Sequence, residues 1–148
     1  AYEIAWGRVM NGSDGVFSWL EQNPADFILL HIGTNDLIQT AADVMDILDE
    51  IDRWENSANG NPVTVLLARI IDFAPSISEV EVFNNKVERK ASKRSNDDIV
   101  LVDQQTGAGI NYTIGVDMSD IVHPSASGYD KMADVWFDSL EPMLEKCP

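Results

Sequence analysis

Phe27-Ile28-Leu29-Leu30-His31-Ile32-Gly33-Thr34-Asn35-Asp36 is the stretch on which the fold of this chain turns. Its opening run, Phe27 to Ile32, is apolar but for one histidine and predicts a strand buried on both faces. Gly33 then lets the backbone turn sharply, and Asn35 brings an amide that can donate two hydrogen bonds. Two more runs of the same kind, Val63 to Ile71 and Ile99 to Val102, predict two further buried strands.

Between the strands the apolar period changes to that of a helix. In Ala41 to Trp54, Val44, Ile47, Leu48, Ile51 and Trp54 recur every three or four residues, and Asp43, Asp46, Asp49, Glu50 and Asp52 form an acidic stripe that reads as a solvated face. From about Ser78 to Ser95, Val80, Phe83, Val87 and Ala91 point inward. Lys86, Arg89, Lys90, Lys93 and Arg94 gather late in that segment, where cations suit the negative end of the helix dipole better than they suggest a phosphate patch. A last helix begins near Ser125 to Ser127 and is expected to bury Tyr129, Met132, Ala133, Trp136, Leu140 and Met143. Strands alternating with helices imply an α/β fold: a three-layer α/β/α sandwich around a parallel sheet. In such sheets ligands bind beyond the carboxyl ends of the strands.

The 148 residues carry 10 Lys+Arg against 25 Asp+Glu, a formal charge of −15. One acidic domain spanning 1–148 is the expectation. A pI near 4.2 argues against a nucleic-acid partner, which would need clustered cations, and no apolar run reaches the roughly 18 residues that span a bilayer. Neither nucleic acid nor membrane is therefore an expected partner. The lone Cys147 excludes an intrachain disulfide and a cysteine metal cage, and two histidines make a zinc site improbable. Ala1-Tyr2-Glu3 has neither a basic leader nor a long apolar stretch, so no signal peptide is expected at this N-terminus.

A second chemical cluster, Asp120-Ile121-Val122-His123-Pro124, stands just before the last helix. An Asp three residues before a His can curl back to accept the imidazole Nδ1 proton, leaving Nε2 free as a general base. Pro124 biases His123 away from helix and stiffens the chain after it. Gly33-Thr34-Asn35-Asp36 alone is an ordinary turn, and His31 within its apolar run reads as a core histidine with one backbone partner. Trp19, Trp54 and Trp136 fall on helix core faces, which leaves Trp6 as the tryptophan available for ligand contact.

Together and in this order the two clusters resemble blocks of the SGNH/GDSL hydrolases: Gly33-Thr34-Asn35-Asp36 is similar to the third, and Asp120-x-x-His123-Pro124 to the fifth. The flanking text, Pro24 to Gly33 and His123 to Ala133, agrees. The wording is most similar to small carbohydrate esterases that include acetylxylan esterases, over roughly Trp6 to Leu140. The resemblance implies a flavodoxin-like SGNH fold and hydrolysis of short acyl esters, O-acetyl carbohydrate among them. It assigns His123 as base, Asp120 as its orienting carboxylate and Asn35 as an oxyanion donor. Gly7 in Trp6-Gly7-Arg8 is the best match for the family's second oxyanion donor, with Gly12 and Gly15 as fallbacks. No metal or organic cofactor is implied, and the expected ligand is a small-molecule or carbohydrate ester. A lipid or lysophospholipid acyl hydrolase of the same family is the alternative in the acyl half, and secretion is suggested by analogy alone.

The departure from the family lies in the nucleophile. The family's serine sits in a Gly-Asp-Ser block after an N-terminal strand, and these 148 residues contain no Gly-Asp-Ser. Gly12-Ser13-Asp14 has those letters in another order, and Ser13 and Asp14 read as an N-cap for Val16 to Leu20. Ser125 and Ser127 read as helix-start residues. Without the N-terminal strand, Phe27 to Ile32 would keep an open apolar edge, which invites pairing with another chain. Three expectations follow: a fragment of a longer gene product, a homo-oligomer closing the sheet edge, or a catalytically inactive remnant.

Overall fold

The alternation of apolar runs and helical periods is realised in a computed structural model that describes residues 15–35, 41–73 and 77–144. Along them run α1 (Val16–Gln22), β1 (Phe27–Leu30), α2 (Ala41–Glu55), β2 (Thr64–Arg69), α3 (Ile77–Ala91), β3 (Ile99–Asp103) and α4 (Ala126–Leu144). The predicted strands all form, their ends displaced by a residue or two. They pair in parallel in the order β1-β2-β3, with Leu30 beside Leu67 and Leu67 beside Leu101.

Side chains alternate across the sheet, so its two faces can be read from the register. Ile28, Leu30, Val65, Leu67 and Ile99 meet the inward residues of α1, α2 and α3: Val16 and Leu20, then Val44 to Trp54, then Val80, Phe83, Val87 and Ala91. Each large side chain buried there stabilises the fold by roughly 1.5–3 kcal/mol over leaving it in water. This cluster is the main core.

The acidic stripe of α2 departs from the expectation at two points. Glu50 is buried, its carboxylate paired with Arg53 at 2.5 Å, while that guanidinium lies 4.2 Å over the ring of Phe17. Asp49 and Asp52 each take a nitrogen of Arg94 at 2.6 Å, and Asp97 takes the third. The last cation of the basic cluster after α3 is therefore a tie between two helical segments rather than a dipole partner alone. Stripe and cluster answer each other.

The opposite face carries Leu66, Ala68 and Val102, all buried. α4 approaches it from β3: Gln104 Nε2 donates to the Met132 carbonyl at 3.0 Å, and Met132 joins Ile71 and Ala108 in a second, smaller core. The expected burial of α4 is realised only in part. Met132 is buried, Trp136, Leu140 and Met143 are half-buried, and Tyr129 and Ala133 are exposed. Helical period fixes which residues share a face, but among the described residues no second helix lies on this side to cover α4. Trp19, likewise expected in the core, is exposed, because seven-residue α1 buries Val16 and Leu20 and packs Phe17 against the core instead.

β1 shows the expected open edge among the described residues, where it pairs with β2 alone. Leu29 is 45% exposed, against 0% for its register partner Leu66 on the central strand. An apolar Phe-Ile-Leu-Leu strand is thus half-buried on average, although its composition suits a strand covered on both sides. No helix among the described residues is long and apolar enough to cross a membrane.

Candidate active site

Gly33 follows the carboxyl end of β1 with φ +130°, and a Cβ there would lie 2.3 Å from the Phe83 ring. Only glycine fits both the angle and the space. The turn so formed leaves Asn35 exposed at the sheet's carboxyl end. His31 is half-buried, and its Nε2 is buried without a partner among the described residues. Burial holds its imidazole below the ordinary 6.5, opposed by a hydrogen bond to its own backbone. It behaves as a core histidine.

The second cluster lies on the long connection from β3 to α4, which also stays at the carboxyl end: the Tyr112 hydroxyl accepts from Asp72 N, just past β2, at 3.0 Å. Asp120 Oδ1 accepts the backbone N–H groups of Val122 and His123, both at 2.7 Å. His123 Nδ1 lies 2.9 Å from Asp120 Oδ2. The carboxyl group is held down to about 2, first by the His123 N–H, then by that of Val122 and by the imidazole. Asp120 therefore stays ionised across the working range, which favours the proton on Nδ1 and leaves Nε2 as the free base. The His123 side chain is 69% exposed, so that nitrogen is open to an incoming group.

Beneath this pair sits a group that the sequence reading did not single out. Asp117, 3% exposed, accepts from Lys131 Nζ at 2.5 Å and Asn111 N at 2.8 Å through Oδ2, and from Ser127 Oγ at 2.9 Å through Oδ1. Those bonds, the one from Lys131 foremost, bring its carboxyl to about 2. Ser125 and Ser127 start α4 as expected, yet both hydroxyls turn back to the Val116 carbonyl at 2.9 Å. Neither stands as a free nucleophile.

The structure thus brings Asp120 and His123 into direct contact. Asn35 makes no hydrogen bond to either among the described residues. Gly7, Gly12 and Trp6 lie outside the described residues, as do Ser13 and Asp14. Gly15 is the N-cap of α1, extended and without a side-chain cap.

Asp120 and His123 thus stand past the carboxyl ends of a parallel α/β sheet, the place where such sheets bind ligands. The chain belongs to the GDSL-like lipase/acylhydrolase family, whose profile matches residues 8–136. It is 27% identical, over 93% of its length, to a multidomain esterase of Ruminococcus flavefaciens, of which it spans only 18%. A crystal structure of an acetyl esterase mutant with acetate ion superposes with a TM-score of 0.74 at 21% identity, covering 97% of this chain and 67% of that one. A carbohydrate esterase of family 3 from Talaromyces cellulolyticus gives 0.75 at 20%, covering 99% and 69%. A family 3 carbohydrate esterase of Clostridium thermocellum gives 0.68 at 23%, covering 88% and 63%. The α/β fold read from the sequence is that of these esterases.

Proposed function

We propose that the chain is an esterase domain acting on short acyl esters, with O-acetyl groups on carbohydrate as its substrate class. The Asp120–His123 pair carries this reading: an ionised carboxylate, locked by two backbone N–H groups, orients an imidazole whose other nitrogen faces solvent. In the proposed cycle a serine hydroxyl attacks the ester carbonyl and gives its proton to His123 Nε2. Asp120 stabilises the imidazolium, while Asn35 and the Gly7 N–H hold the oxyanion. The alcohol leaves with the proton from His123, and water activated by the same imidazole frees the acid from the acyl-serine. Family membership and the acetyl and carbohydrate esterases named among the structural neighbours support this reading.

The serine is the part that no Gly-Asp-Ser in these residues supplies. In this proposal it arrives with a strand lying along the open edge of β1, from a longer product. A second copy of the chain could close that edge without supplying the serine, and light scattering on the purified chain tests this: a dimer supports it, and a clean monomer excludes it. The absent block also favours a second reading, a remnant that binds esters without turning them over.

Hydrolysis of p-nitrophenyl acetate separates the readings. The esterase reading expects turnover that His123→Ala lowers by about 10²-fold or more. Turnover unaffected by that substitution would sink the role of His123, and no turnover, even after an upstream strand with serine is supplied, would favour the remnant.

A further inference from the structure

Two carboxylates three residues apart serve one loop in different ways. Asp120 faces out and holds His123, whereas Asp117 faces in and ties together three parts of the chain: Asn111 on the same connection, and Ser127 and Lys131 in the first turns of α4. Lys131 Nζ also donates to the Gly109 carbonyl at 3.1 Å. The Asp117 carbonyl accepts the Ser125 N–H at 2.8 Å. It lies so close to α4 that a Cβ on Gly128 would come within 2.2 Å of it. Between the two fixed points, Asp117 and Ser125, the chain closes on itself. Ser119 N donates to the His123 carbonyl at 2.8 Å, and Met118 bridges to Pro124. The geometry by which Asp120 meets the Val122 and His123 N–H groups is therefore set by where this closed loop is anchored.

We propose that Asp117, through its ion pair with Lys131, is the positioning residue of the His123 loop: it fixes the segment in which Asp120 selects the imidazole tautomer that leaves Nε2 free. This rests on the reading of His123 as the base, but its test does not need turnover. Asp117 touches neither reacting atoms nor the imidazole; it acts through Asp120. A tie that served stability alone would leave the tautomer unchanged when loosened in a folded protein.

Long-range proton–nitrogen spectra of the imidazole in uniformly ¹⁵N-labelled chain read the tautomer directly. In the wild type, above the imidazole's titration, a single neutral form with the proton on Nδ1 is expected. Asp117→Asn and Lys131→Met should each give a mixture of tautomers while the signals of the α2 core stay in place, and Lys131→Arg should restore the single form. The double variant Asp117→Asn with Lys131→Met leaves the local net charge unchanged, so a shift of the Asp120 carboxyl in it reports geometry rather than a lost charge. Its midpoint should rise from about 2 toward the ordinary 3.8. Should Asp117→Asn fail to fold, Lys131→Met and Ser127→Ala decide by the same two readouts. A folded variant lacking the tie that keeps the wild-type tautomer and the wild-type Asp120 midpoint overturns the proposal, whatever the esterase assay shows. Inactivity toward esters of a chain supplied with the upstream strand and its serine would overturn the catalytic reading and leave the tautomer result standing.

Discussion

At the amino end of the sheet Asp49, Asp52 and Asp97 crowd round the guanidinium of Arg94, and Glu55 takes the Val63 N–H at the rim of the same small cavity. At the carboxyl end Asp117 and Asp120 stand apart, each with its own donors. The chemical consequence is opposite in sign. Burial, with Asp97 beside it, raises Asp52, and burial raises Glu55, whereas hydrogen bonds from Lys131 and from the His123 N–H bring Asp117 and Asp120 to about 2. The amino end shares one cation among acids it tolerates; the carboxyl end spends a set of donors on keeping two acids charged. The carboxyl end thus holds the ionised carboxylate that the proposed role of Asp120 needs.

The contrast breaks if the ends are not independent, and Trp54→Ala tests this with the largest expected effect. Trp54 is fully buried in the α2 core, so its truncation should cost about 3–5 kcal/mol in urea unfolding. If the ends are separate, the folded variant keeps the His123–Asp120 imidazole signature. A changed signature would show that the main core reaches the site.

Next in size is Arg94→Ala, expected to cost about 1–2 kcal/mol at neutral pH. That is more than an exposed pair and less than a fully buried one, since the guanidinium is largely covered and its partners are not. Removing the cation leaves three carboxylates facing one another. The loss should shrink as pH falls through the carboxylate range and repulsion is relieved. A loss independent of pH would mean that Arg94 acts through the packing of its stem instead.

The legible parts of the molecule share one property: their partners are close in sequence or enforced by period. β1, β2, β3 and the inward faces of α2 and α3 follow from apolar spacing, and Asp120 meets His123 across three residues. Asp117 was not legible because its partners lie at Asn111, Ser127 and Lys131, and no local spacing joins them. Glu50 sat in an acidic stripe, and although its partner Arg53 is only three residues on, its burial shows only in the fold. Tyr129 and Trp19 carry core-like periodicity without a covering element among the described residues, for period names a face and not its occupant. The open edge of β1 was legible for the opposite reason, as a strand too apolar for the neighbours it has among the described residues.

The smallest effect sharpens the comparison most, because it asks for two signs in one titration. Asp117 and Asp120 have folded values near 2 against an ordinary 3.8. The stability they contribute is complete above that ordinary value and disappears as pH falls through 2. Asp52 and Glu55 are raised in the folded state, so their contribution is complete below their ordinary values and is lost as pH rises through the raised ones. The urea midpoint should therefore climb gently on acidification toward the ordinary carboxylate range and then fall toward pH 2. Lys131→Met should flatten the acid fall and leave the climb, while Arg94→Ala should steepen the climb and leave the fall. A titration in which both variants alter the same limb would place the charged groups of the two ends in one network and dissolve the distinction between them.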